Sequence, residues 1–184
     1  MVRKPVMAVW VLLAAVVGCA TAPPVNYYTL DMSRHMAENQ HPEIVVGDIE
    51  RADSVSRDEL MVRARTGEAR RITGHVWAAC PADLVREKLR AEFDAFEAAE
   101  PVFEVEGELL AFEQYGAGPD MEGRVLVQLR VRAWTEEGGG EVLLEQVYQA
   151  GTPPASSRPG DVARALTRSV EAIARELAED MAEL

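Results

Sequence analysis

Cysteine, lysine, histidine, aromatic residues and long apolar runs are all scarce in this chain of 184 residues, and each scarcity excludes a class. No run reaches the roughly eighteen apolar residues that a membrane-spanning helix needs. Two cysteines, Cys19 and Cys80, cannot build a disulfide scaffold or a cysteine-based zinc site. An aromatic content of 6 % gives little with which to line a large cavity, which counts against a soluble carrier of hydrophobic ligands. The basic residues are 17 Arg and only 2 Lys against 31 acidic residues, a net charge of −12. A partner of nucleic acid needs the opposite balance, so nucleic acid is excluded.

What remains is ordinary for a folded protein. With 48 % apolar and 27 % charged residues the chain is too apolar to be disordered, and its length fits a single domain. The N-terminus carries the sharpest signal. Arg3 and Lys4 precede Val6 to Val17, twelve apolar residues that span about 18 Å as a helix against a bilayer core of about 30 Å. A basic head, a short apolar stretch and a small residue at the cut describe a secretory signal peptide. The sequence Val16-Val17-Gly18-Cys19 is similar to a bacterial lipobox, in which the cysteine is lipidated and becomes the new N-terminus. Ordinary cleavage after Ala22 would put Pro23 directly behind the cut, a poor fit to an extended protease site. The expected divisions are a signal peptide at 1–18, a lipidated tether at 19–24 and a folded domain at 25–184. Ala20 in place of Asp favours, by resemblance to Gram-negative sorting, the outer membrane. Removal of Arg3 and Lys4 leaves 17 basic against 31 acidic residues, a net −14. That balance argues against a basic membrane-facing patch and leaves the lipid to do the anchoring.

Along the mature chain, Val25 to Leu30 is rich in strand formers, and 32–42 reads as a loop containing His35 and His41. Strands are expected at Glu43–Arg51, Leu60–Ala64 and Ala69–Thr73. Pro81 opens a helix whose Val85, Leu89, Phe93 and Phe96 share one face, and Glu97 to Pro101 closes it. Three strands follow, Phe103–Tyr115, Arg124–Glu136 and Glu141–Ala150. In the middle one Val125, Val127, Leu129, Val131 and Ala133 alternate with Arg124, Gln128, Arg130, Arg132 and Trp134. Gly138-Gly139-Gly140 reads as a hairpin turn. A last helix carries Val162, Leu166, Val170, Ile173, Leu177 and Met181 as a narrow stripe, capped by Asp161 or Ser157. The stripe suits its own sheet, or a helical partner. The fold class is α/β: a mixed sheet of about six strands with two main amphipathic helices in one domain.

No catalytic set emerges from these elements. His35 and His41 fall in a loop and His75 precedes Trp77, so a nucleophile–base–orienter arrangement has nothing to draw on, nor does a histidine metal site. Glu104, Glu106 and Glu108 alternate on one strand. A hairpin with the next strand sets Glu106 and Glu108 near Arg132 and Arg130, as cross-strand ion pairs rather than an acid–base pair. Cys80 reads as a small buried hydrophobe. The sequence reads as a non-enzyme without cofactor or metal.

The lipobox Cys19, the strand Tyr27-Tyr28-Thr29-Leu30 soon after it, Trp77-Ala78 before a helix, and the closing amphipathic helix together resemble the ABC-type transport auxiliary lipoproteins, the PqiC-like family. The resemblance covers nearly the whole chain and implies an α/β domain with a mixed sheet and no catalytic centre. It implies a lipid-anchored, periplasm-facing protein of the outer membrane. Its partners would be an ABC permease, its ATPase and a mammalian-cell-entry (MCE) domain protein that move lipids or other hydrophobic molecules between membranes. Cys19 is then the lipidation site, and Trp77 and Tyr28 are structural anchors. A lipoprotein that assists a β-barrel, as in lipopolysaccharide assembly, is the alternative. Homo-oligomers would need Arg faces such as Arg124, Arg130 and Arg132 to meet acidic ones.

Overall fold

The computed structural model describes residues 24–36, 43–93, 102–136 and 138–184. Cys19, His41, Phe96 and the boundaries expected at residues 18, 19 and 101 lie outside them. In chain order the elements are β1 (Asn26–Tyr28), β2 (Ile44–Arg51), β3 (Glu59–Arg63), β4 (Ala69–Trp77), α1 (Pro81–Phe93), β5 (Phe103–Tyr115), β6 (Glu122–Ala133), β7 (Val142–Thr152) and α2 (Pro159–Met181). The strands form one mixed sheet in the order β1-β4-β3-β5-β6-β7, with β2 also paired to β5. The expected class is therefore observed, with seven strands among the described residues where about six were read from the sequence.

β5 organises the sheet. One edge of its thirteen residues pairs along its whole length with antiparallel β6. The other edge takes two parallel strands end to end, β2 against Phe103–Leu109 and β3 against Gln114 and Tyr115. β4 is nine residues long where five were expected, because it serves two neighbours. Its start pairs with β3, while His75, Val76 and Trp77 pair with β1. Between Arg71 and Val76 the chain bulges around Gly74, whose φ of +78° is a conformation that favours glycine.

Both helices cover one face. Val105, Leu109, Val125, Val127, Leu129, Val131 and Tyr148 point into a core closed by Val85 and Leu89 of α1 and by Leu166, Val170, Ile173 and Leu177 of α2. The alternation read from β6 is thus the inside–outside pattern of a half-covered sheet. All six apolar positions of the α2 stripe are buried, so the stripe is occupied by the protein's own core and offers no seat to a helical partner. The expected cap is not found: Arg158 is the N-cap, without a side-chain hydrogen bond. Pro159 starts the first turn, which puts Asp161 inside the helix, where its carboxylate contacts the Ser156 hydroxyl and Arg164. Gly138 and Gly139, both with positive φ, turn the chain from β6 to β7 as expected.

Candidate functional site

Three groups of polar residues stand out. The first lies on the uncovered sheet face. Glu106 Oε1 accepts from Arg132 Nε at 2.9 Å and from Arg130 at 3.0 Å, and Arg130 also donates to Glu145 at 3.0 Å. Glu108 lies opposite Gln128 instead of an arginine, so only Glu106 makes the ion pairs expected of both. Gln128 turns its amide to Glu145. The hydrogen bond from Arg132 is the main cause that holds Glu106 below the ordinary carboxylate range, and Arg130 does the same for Glu145. Carboxylates held ionised in this way are poor proton donors, so the groove of about 380 Å³ that they line with Asp48 and Glu50 is a charged, solvated surface.

The second group is buried. Lys88, the one lysine after the signal region, has no exposed side-chain surface. Its ammonium lies 2.6 Å from Glu92 and 3.1 Å from Glu171, and it donates to the Ser33 carbonyl at 2.7 Å. Glu92 Oε2 in turn accepts from the backbone N–H groups of His35 and Met36, both at 2.9 Å. Burial pushes the Glu92 carboxyl up, but Lys88 and those two amides outweigh it and hold the group below its usual value. His35, Glu92 and Glu171 offer a metal-like trio within 4.8 Å of one another. The Lys88 ammonium already sits among these donors as their cation, so the set does not suit a metal ion. Its effect is structural, tying the irregular segment 31–36 to both helices, with Asp31 N–H donating to Thr167 Oγ1.

The third group surrounds the N-terminal edge of the sheet. Tyr28 is half-buried in β1, its hydroxyl 2.9 Å from His75 Nδ1 and its ring stacked on the imidazole. Trp77 is 4 % exposed, packs edge-on against Phe112, and its Nε1 finds no acceptor among the described residues. Beyond these, Arg63, Arg65, Arg70 and Arg71 all lie on the β3–β4 hairpin. Arg63 pairs with the buried Glu113, which Arg124 also contacts. Arg124 stacks 3.8 Å over the Tyr115 ring, with Arg65 on the same ring at 5.6 Å. An open groove of about 510 Å³ runs from Arg70, Arg71 and His75 to Ser157 and Pro159 at the start of α2.

Trp77 and Tyr28 are thus placed side by side at the β1–β4 pairing, and Cys19 lies outside the described residues. The Lys88 knot was missed by sequence reading. The available signal was that Lys88 and Glu92 fall on the helical face of Val85 and Leu89, where unpaired charge is not tolerated.

Residues 28–178 match the model of the family described as the ABC-type transport auxiliary lipoprotein component. Among solved structures, a protein from Xanthomonas campestris is 18 % identical with a TM-score of 0.65, over 83 % of this chain and 91 % of that one. An uncharacterized protein is 10 % identical with a TM-score of 0.66, over 86 % of this chain and 99 % of that one. At these identities both support the fold alone. No curated protein sequence matches the chain.

Proposed function

The chain belongs to the ABC-type transport auxiliary lipoprotein family, and from that membership we propose that it is the outer-membrane-anchored accessory protein of an MCE-type system that moves lipids or other hydrophobic molecules between membranes. In this reading residues 1–18 are removed, Cys19 carries the lipid, residues 19–24 form the tether, and the domain from residue 25 faces the periplasm. The domain acts by holding protein partners, namely an MCE-domain protein beside its ABC permease and ATPase, and not by turning over a substrate. The observation that carries the reading is the family match over residues 28–178, which takes in β2 to β7, α1 and most of α2. The polar groups agree with it: one is a solvated ladder and another an internal tie.

The partner surface in this reading is the outer edge of β7. β7 ends the sheet order, and it exposes Val142, Leu143 and Val147 beside a backbone edge that no strand among the described residues pairs with, the kind that accepts another strand. The test is cross-linking in intact cells from a photoreactive residue at Val147, read by mass spectrometry. An adduct with an MCE-domain protein is the expected result. An outer-membrane barrel as the only adduct moves the assignment to a barrel-assembly lipoprotein, and hydrolysis of ester or glycosidic substrates by the purified protein overturns the non-enzyme reading.

A further inference from the structure

β1 runs parallel to β4 with Asn26 opposite His75, and Pro24 O lies 3.5 Å from where a side chain at Gly74 would begin. Following β1 backwards toward Cys19 is therefore following β4 backwards toward Arg71 and Arg70. The chain therefore enters β1 from the side on which the tip of the β3–β4 hairpin lies. Five residue steps separate Pro24 from Cys19, so a lipidated Cys19 lies at most about 18 Å from Pro24. From Gly74 back to Arg70 the strand already covers about 13 Å of that length. What is left is about 5 Å, less than an arginine side chain and well inside the roughly 10 Å over which charges act at moderate salt.

That end of the domain is where the fold collects its cations. Arg65 and Arg70 are exposed, Arg70 makes no ion pair among the described residues, and exposed Arg158 stands at the start of α2, which begins beside Tyr28. The N-terminus of α2 adds its own partial positive charge there. Glu68, Asp120, Glu122 and Asp161 offset part of this, Arg71 is paired with Glu59 at 3.0 Å, and Glu113 is taken up by Arg63 and Arg124. About 26–32 Å away, toward the other end of the 23-residue α2, stand Glu176, Glu179 and Asp180, with Glu183 just beyond and Arg175 as the one cation beside them. The net −14 of the mature sequence argued against a basic membrane-facing patch because it sums over both ends. The fold separates them.

We propose that the domain rests on its membrane with the β3–β4 hairpin down, Arg65, Arg70 and Arg71 against the phosphates of anionic lipid headgroups and the acidic end of α2 pointing away. Tethering and headgroup contact then act together, fixing the orientation in which the β7 edge is presented. This rests on the reading that Cys19 is lipidated.

The test uses the lipidated full chain with Cys80→Ala, carrying one fluorophore at Thr66→Cys on the hairpin tip or at Glu183→Cys at the far end. It is reconstituted on vesicles of phosphatidylcholine, with or without phosphatidylglycerol, doped with a headgroup-nitroxide lipid as quencher. Quenching at residue 66 is expected to exceed that at residue 183 several-fold, to grow with phosphatidylglycerol, and to fall to the residue-183 level in the Arg65→Glu/Arg70→Glu variant. Equal quenching at the two sites on vesicles that carry the protein through flotation overturns the orientation alone. So does an excess at residue 66 that ignores both phosphatidylglycerol and charge reversal. A chain recovered from cell membranes with no lipid on Cys19 overturns the anchoring and this orientation with it.

Discussion

The Lys88 ammonium lies 2.6 Å from the Glu92 carboxylate, with neither side chain exposed to solvent, one turn apart on α1. Two charges this deep hold only because each is also hydrogen-bonded, Lys88 to the Ser33 carbonyl and Glu92 to the amides of His35 and Met36. Lys88→Met keeps the volume and removes the charge, leaving a buried carboxylate without its cation. The expected cost is about 3–5 kcal/mol, read as a lowered urea midpoint of the Cys19→Ala protein, with residues 31–36 losing protection in hydrogen exchange. A midpoint like that of the parent would show that the pair contributes nothing.

The same pair sets an acid limit. Glu92 is held below its ordinary value of 4.5, so its charged form contributes stability that is present above that value and is lost as pH falls through the lower, folded value. In Lys88→Met the ammonium that depresses it is gone. The stability difference between parent and variant is therefore expected to be largest near neutrality and to shrink as pH drops below 4.5. Urea titrations at a series of pH values give the answer, and two curves that stay parallel throughout would contradict it.

Trp77 separates size from polarity. Its ring is buried against Phe112, yet its Nε1–H meets no acceptor among the described residues. Trp77→Ala should cost about 3–5 kcal/mol by leaving a cavity. Trp77→Phe gives up part of the ring but also removes an unsatisfied donor worth about 1–3 kcal/mol, so it should cost far less. Thermal melts of the two variants that coincide would mean the indole N–H is bonded after all.

Gly107 is the tightest point of the β5–β6 pairing. A Cβ there would sit 2.1 Å from the backbone carbonyl oxygen of Gln128, which cannot rotate away as a side chain can. Gly107→Ala should destabilise by about 1–3 kcal/mol, the range for overpacking, although alanine ordinarily suits a strand no worse than glycine. Hydrogen exchange should place the loss along β5 and β6. A variant as stable as the parent would mean that the two strands part there at little cost.

Where a side chain's role follows from its nearest neighbours in sequence, it was legible in advance. The period of two in β6, the stripe of α2 and the glycines before β7 each reflect local geometry, and β5 was read to the residue. The added length of β4 was not readable, because its second half pairs with β3 only across a bulge and otherwise with β1, almost fifty residues earlier. Glu108 was misassigned because the observed register, two residues from the one expected, sets Glu106 opposite Arg130 and Glu108 opposite Gln128. The arginine-rich end was invisible for a related reason: Arg70, Arg124 and Arg158 are far apart in the chain and meet only through the sheet order.

β5 as the shared neighbour of β2 and β3 has a consequence for biogenesis. If residues 1–18 are the signal peptide proposed above, the chain crosses its membrane from the N-terminus, so β1 to β4 and α1 emerge before the strand on which two of them depend. Pairings between distant segments form slowly, and here they have no template until residue 103 has passed. On the proposed lipidation of Cys19, acylation would then meet a chain whose domain is still open, with the lipid in place before there is a fold for it to hold. Nascent chains arrested before β5 should be digested by protease along β2 and β3, whereas chains extended past α2 should resist.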